Sequence, residues 1–193
     1  MVSDYIIRKA RITDLEACRE ICIATAEGRN LSTSKKRAAL CNRFCDPYIE
    51  KFTDNCYVAE SRTEGVFGYI LCAPDIDEYA SVVKKHYAKA LYKLSFGEAV
   101  QRRFEIPLSK SYKKEAAAHL HIDILPIGQK QGVGGKLVRT LLESLEKNRI
   151  NGVALGVGTA NKNAVSFYKH IGFTILKSLP GAYIMIKRTS QIL

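Results

Sequence analysis

His119-Leu-His-Ile-Asp-Ile-Leu-Pro-Ile-Gly-Gln-Lys-Gln-Gly-Val-Gly-Gly-Lys136 is the stretch on which the reading of this chain turns. Its first part is an apolar strand, Leu120 to Leu125, stopped by Pro126, which has no N–H to give a sheet ladder. A short loop, Ile127 to Gln131, leads to Gly132-Val133-Gly134-Gly135. That run opens a segment with Leu137, Val138, Leu141, Leu142 and Leu145 spaced for one helical face. Where a Gly-rich turn joins a strand to a helix, the unpaired N–H groups of the first helical turn converge. The helix dipole then makes that point attractive to an anion. Gly132 and Gly134 carry no Cβ to hold a phosphate away from the backbone. The stretch predicts a pyrophosphate cradle.

The commoner phosphate loops do not fit. Gly-x-x-x-x-Gly-Lys-Ser/Thr is absent, and Gly-x-Gly-x-x-Gly would need a glycine where Leu137 stands. What remains is Gln129-x-x-Gly132-x-Gly134. Downstream, a strand from Val153 to Val157 precedes Asn161-Lys-Asn-Ala164-Val-Ser-Phe167-Tyr168-Lys-His-Ile-Gly172-Phe173. The first pattern resembles the Arg/Gln-x-x-Gly-x-Gly/Ala loop of the GCN5-related N-acetyltransferases, the GNAT superfamily. The second resembles that family's Asn-x-x-Ala-x-x-Phe/Leu-Tyr-x-x-x-Gly-Phe helix and turn. Both occur in the family's order, and the resemblance runs from about Tyr5 to Lys187.

The resemblance implies an α/β fold with a mixed, mainly antiparallel central sheet flanked by helices, forming one domain over 1–193. Its fourth and fifth strands, here 119–125 and 153–157, would splay apart to admit acetyl-CoA. The donor would be held by Gln129, Lys130, Gln131, Gly132, Val133, Gly134, Gly135 and Lys136 at the pyrophosphate. Backbone near Ile124 and Leu125 would meet the acetyl carbonyl and pantetheine, and Asn161 the pantetheine arm. His-Leu-His-Ile-Asp-Ile-Leu-Pro, with Asp46-Pro47-Tyr48 and Ala73-Pro74-Asp75, also resembles a bacterial subgroup similar to the acetyltransferase-like domain of O-GlcNAc hydrolases.

Acetyl transfer to an amine makes three demands. The acceptor must lose a proton, since an alkylammonium has a pKa near ~10. The carbonyl oxygen must be stabilised, and the departing thiolate must be reprotonated. For the last, the resemblance points to Tyr168 as general acid, against a plain aromatic core role. Asn161 could equally be a helix N-cap. His119, His121 and Asp123 alternate and so share one strand face. His121 with Asp123 is the candidate proton relay, the alternatives being a structural role in the sheet or a water chain instead of a dedicated base.

The 193 residues suit one domain with its own core. No basic-then-apolar leader and no apolar run near the ~20 residues of a membrane span occurs, which predicts a cytoplasmic protein. Six cysteines then read as free thiols, with Cys18 and Cys22 on an apolar helix face, and no zinc-type spacing predicts a metal. The net charge of +11 is scattered along the chain, without nucleic-acid-binding motifs. It reads as a solvated surface or as steering of polyanionic CoA or an acidic acceptor.

In order, the chain predicts a strand over Tyr5–Lys9 and a helix to about Ala26 opened by a Thr13–Glu16 capping box. Residues 33–52 read as a helical region broken at Asp46-Pro47. A hairpin comes next, Cys56–Ser61 with Val66–Ala73. About forty residues, Asp75 to Glu115, are then inserted into the family plan. Tyr79, Val83, Tyr87, Leu91 and Leu94 mark one helix there, with Lys84, Lys85, Lys89 and Lys93 opposite. Phe96-Gly97-Glu98 is expected to break it, and Pro107 to interrupt the remainder of the insertion. The apolar stripe must bury against the domain core, over the acceptor side, or against a second subunit in a homodimer. Phe173–Lys177 and Tyr183–Lys187 close the sheet. The function expected is transfer of the acetyl group of acetyl-CoA to a primary amine on a small molecule or peptide. The alternative is a non-catalytic acyl-CoA-binding module of the same fold.

Overall fold

The computed structural model describes residues 4–26 and 28–191. Its strands are β1 (Tyr5–Lys9), β2 (Tyr57–Ser61), β3 (Gly65–Ala73), β4 (Ala118–Ile124), β5 (Gly152–Gly158), β6 (Thr174–Leu179) and β7 (Ala182–Arg188). They form one sheet in the order β1-β2-β3-β4-β5-β7-β6. Every neighbouring pair is antiparallel except β4 with β5.

Helices cover both faces. On one lies α7 (Val133–Lys147), whose five leucines and valines at helical spacing are all buried against Phe67, Ile70, Leu120, Leu155 and Met185. On the other lie α1 (Leu15–Thr25), α2 (Ser34–Phe44) and α3 (Asp46–Lys51). There Ile21, Leu40, Tyr48 and Ile49 meet Tyr69 and Leu71. The alternation along β3 sends Ile70 and Cys72 to the first core and Tyr69, Leu71 and Ala73 to the second. All six cysteines are buried and unbridged, Cys18 and Cys22 within the second core.

The predicted capping box does not form. Ile12–Asp14 is a 3₁₀ turn, and the Asp14 carboxylate accepts the Arg11 N–H at 2.8 Å. Arg8 on β1 draws Asp14 there through two bonds of 2.7 and 2.9 Å, so the carboxyl, not Thr13, closes the turn.

The insertion is more helical than its sequence suggested. It holds α4 (Ile76–Val82), a π turn (Val83–Tyr87), α5 (Ala88–Leu94) and α6 (Phe96–Lys110) before the chain returns to β4. Asp75 caps α4 by accepting from the N–H groups of Asp77 and Glu78. Phe96-Gly97-Glu98 is not the break. Ser95 is, because its hydroxyl accepts the Glu98 N–H and makes those residues the first turn of α6. Pro107 does not stop α6 either. It lies one turn from the end, where Ser111 N–H bonds to the Pro107 and Leu108 carbonyls and tightens the terminus. The predicted stripe is buried from Tyr79 to Leu91, while Lys84, Lys85, Lys89 and Lys93 are exposed. α4 packs on α3 and β3, and α5 and α6 pack on α2.

Candidate active site

The sheet is held together at its centre by very little. β4 and β5 are in register only at Ala118–Val153 and His119–Ala154. Beyond that each strand stays with its other neighbour, β4 on β3 as far as Ile124 and β5 on β7 as far as Gly158. A wedge opens between them. The Leu125 N–H is engaged by the Phe67 carbonyl at 2.9 Å. Antiparallel alternation then turns the N–H groups of His121 and Asp123 toward β3 and those of Ile122 and Ile124 into the wedge. Leu125 is therefore not the backbone donor expected from the sequence. Ile122, which sequence reasoning missed, turns its N–H into the wedge beside that of Ile124.

At the wide end of the wedge stands the start of α7. Gly132 takes φ = 77°, a left-handed conformation that suits glycine, and turns the loop into the helix. The first intrahelical bond runs from Lys136 N–H to the Gly132 carbonyl at 3.1 Å. The N–H groups of Val133, Gly134 and Gly135 precede it and have no partner inside the helix. A Cβ on Gly132 or Gly135 would meet nothing within 4 Å, so space is open there for an anion. Gly134 is different: a Cβ would lie 2.8 Å from Phe167 Cζ and 3.3 Å from Ile124 Cδ1. Its lack of a side chain serves the packing of one helix on another, not the approach of a phosphate.

Around the cradle, the Gln129 amide donates to Ile124 O at 2.8 Å and the Gln131 amide to Ile127 O, so these side chains brace the loop. Lys130 is exposed with φ = 58°. The Lys136 ammonium sits 4.7 Å from the centre of the Tyr5 ring, directed there rather than at the helix start.

The helix that Phe167 belongs to, α8 (Lys162–His170), is N-capped by Asn161, whose side-chain oxygen accepts the Ala164 N–H at 3.0 Å. The capping role anticipated for Asn161 is thus real, and the residue also lines the central cavity. Tyr168 is buried between Phe167 and Phe173, with ring centres 5.3 and 5.5 Å away. It lines the same cavity. Burial, with the charge of Asp123 added, pushes its phenol above the usual range, so the hydroxyl keeps its proton.

That cavity, of about 790 Å³, runs from the wedge to the inserted helices. His121 and Asp123 project into it from β4, with Nε2 to Oδ2 at 3.0 Å. Tyr69, directly opposite Asp123 in the β3–β4 register, donates its hydroxyl to the same carboxylate oxygen at 2.5 Å. His119 is separate: its Nδ1 meets the Tyr48 hydroxyl at 2.7 Å. Burial, then the nearby Arg102 guanidinium and the His121 imidazole, depress its pKa to about 3, so it is neutral. Cys22 also reaches this cluster, and its Sγ lies within 4.8 Å of the ligand atoms of His121 and Asp123. Its thiol is pushed up by a hydrogen bond with Cys41 and by burial, which leaves it protonated and a poor nucleophile. The far wall is built by the insertion, through Ile76, Tyr79, Arg102 and Ile106. Tyr69 and Arg102 carried no sequence signal, and Tyr48 and Tyr79, read only as part of a motif and of an apolar stripe, carried none for this site, because their partners lie 23 to 71 residues away.

Splayed parallel strands beneath a glycine-opened helix, with a tyrosine on the following helix, define the GNAT fold. Among solved structures, SsHAT superposes with a TM-score of 0.85 at 22% identity, covering 96% of this chain and 98% of its own. The PaiA N-acetyltransferase of Thermoplasma acidophilum, solved in complex with coenzyme A, superposes with a TM-score of 0.60 at 16% identity, over 96% and 99%. In sequence, the uncharacterised N-acetyltransferase MJ1207 of Methanocaldococcus jannaschii is 33% identical over 81 residues, 42% of this chain. The match spans only 36% of that relative's length. The acetyltransferase (GNAT) family profile matches residues 27–173. This chain belongs to the acetyltransferase (GNAT) family.

Proposed function

We propose that the protein is an N-acetyltransferase that moves the acetyl group of acetyl-CoA to a primary amine by direct attack. The observation that carries this reading is the convergence on one cavity of Tyr168, the His121–Asp123 pair and Ile122, whose open N–H stands in the wedge with that of Ile124 next along the strand. The α7 start supplies N–H groups and a positive dipole end for the pyrophosphate, and the wedge admits the pantetheine arm. Each chemical demand has a group. His121, oriented by Asp123, accepts the proton that the amine must lose. The Ile122 and Ile124 N–H groups donate to the carbonyl oxygen as it gains charge. Tyr168 gives its proton to the departing thiolate.

Direct attack is favoured over an acyl-enzyme because Cys22 alone among the described cysteines lines the cavity, and its thiol is held protonated. The test is thiol release from acetyl-CoA across polyamines, amino sugars, amino acids and peptides. Release that depends on amine and on Tyr168 is expected. Tight acetyl-CoA binding with no release from any amine would replace this reading with the binding module.

A further inference from the structure

Three guanidinium groups border the acceptor end of the cavity, and their partners differ. Arg29 pairs with Glu98 at 2.7 Å, and Arg43 pairs with Glu98 and Glu105. Arg102 is only 5% exposed, yet among the described residues no carboxylate comes within ion-pair distance of it. Its side chain bonds instead to uncharged oxygens, the Arg43 carbonyl and the Tyr79 hydroxyl. A guanidinium has five N–H donors and cannot shed its proton, so these bonds leave both its charge and part of its donor set unmatched. Buried cations in proteins are paired, and this one lines a cavity where a ligand has to enter.

We infer that the acceptor is an amine that also carries an oxyanion, a carboxylate above all, and that Arg102 binds that anion. This rests on the N-acetyltransferase reading and specifies its substrate. The cavity has an amine end, where the His121–Asp123 pair provides proton acceptors, and an anion end at Arg102. Between them His119 and Tyr79 stand with ring centres 5.6 Å apart. His119 lies two residues before His121 on the same strand face, roughly 7 Å along it. The wall between the ends is aromatic and uncharged, since His119 is neutral. A planar fork favours carboxylate, which it can bind with two parallel bonds. The insertion thus supplies a charge that reads the acceptor, not merely a wall.

The competing role for Arg102 is a strut. Arg43 lies in the last turn of α2, and a cation beside that helix end is favourable without any ligand. Matched amines separate the two. Thiol release is measured with n-butylamine against γ-aminobutyrate, and with ethanolamine against O-phosphoethanolamine, for the wild type, Arg102→Gln and Arg102→Lys. The readout is the ratio of kcat/KM within each pair, which a loss of folded protein does not change. The wild type should favour the anionic member by about tenfold or more, the worth of one good ion pair. Arg102→Gln should bring the ratio to about one or below, with Arg102→Lys between. A wild type indifferent to the anion, or a ratio that survives Arg102→Gln, overturns the inference. Calorimetry of γ-aminobutyrate and n-butylamine on the CoA-loaded protein covers the case of no turnover. Anion-selective binding lost in Arg102→Gln would then keep this inference and sink the transferase reading, whereas equal binding would sink the inference.

Discussion

Tyr168, buried, and His119, half-buried, are titratable groups at one cavity, and desolvation gives them opposite consequences. For Tyr168 it keeps the phenol protonated, as a proton donor requires. Tyr168→Phe removes only the hydroxyl and leaves the ring between Phe167 and Phe173. Turnover should fall by ~10²–10⁴-fold, while acetyl-CoA affinity by calorimetry stays near that of the wild type. Unchanged turnover with chemistry limiting would make Tyr168 a packing residue. For His119 desolvation favours the neutral ring, moving its pKa from about 6.5 to about 3. Between those values the unfolded chain binds a proton that the native protein refuses. Stability from this group is therefore complete above about pH 6.5 and is lost as pH falls toward 3. His119→Gln keeps a polar partner for the Tyr48 hydroxyl and removes the titration. Its Tm should fall less steeply than that of the wild type between about pH 7 and about pH 4. Parallel curves would mean that water reaches the imidazole freely.

At the scale of elements, the α7 start performs two tasks that its glycines divide. Gly134 admits Phe167, so Gly134→Ala should push α8 away and displace Tyr168, the next residue on it. Overpacking of this kind costs about 1–3 kcal/mol, and both Tm and turnover should drop. Gly135 faces open space, and Gly135→Asp places a negative charge in the first turn, where the dipole welcomes it. That variant should be as stable as the wild type or up to ~1 kcal/mol more so, yet bind acetyl-CoA less tightly. Scanning fluorimetry and calorimetry together read the opposite signs; unweakened binding would remove the phosphate from this helix end. Legibility in the sequence divides along the same line, between local pattern and distant contact. The loop and helix starts at Gln129 to Gly134 and Asn161 to Phe173 were legible because each is a local pattern whose spacing is its geometry, but the packing of Gly134 on Phe167 was not. The buried stripe from Tyr79 to Leu91 was legible as periodicity. Tyr69 beside Asp123 was not, because it depends on the β3–β4 register across 54 residues. Nor was Arg102, whose meaning lies in the carboxylate it lacks. Pro107 misled because its missing N–H deprives one carbonyl of its helical bond, that of Arg103, and both residues lie on the exposed side of α6, where water can serve it.

Across the whole molecule, the sheet consists of two well-paired halves, β1-β2-β3-β4 and β5-β7-β6, joined by a two-position parallel pairing at Ala118 and His119. The halves share the α7 core, since α7 touches both β4 and β5, but along the wedge the backbone of each lacks a neighbour. On the proposed reading, a pantetheine arm laid in the wedge acts as the missing strand and bonds to both edges. Acetyl-CoA should therefore stabilise the fold as a whole rather than one loop. At a free concentration of about a hundred times Kd the linkage is worth ~2.7 kcal/mol. For a chain of this length that corresponds to a rise in Tm of roughly 5–11 °C. Hydrogen exchange should slow at Ile122 and Ile124 on one side and at Gly156 and Gly158 on the other, whose N–H groups the β5–β7 register turns into the wedge, together with the first turn of α7. The N–H groups of His121 and Asp123, already turned toward β3, should change less. Slowing confined to the α7 start, with the wedge edges unaffected, would mean that the ligand docks by its phosphates alone. The two halves would then be coupled only through their shared core.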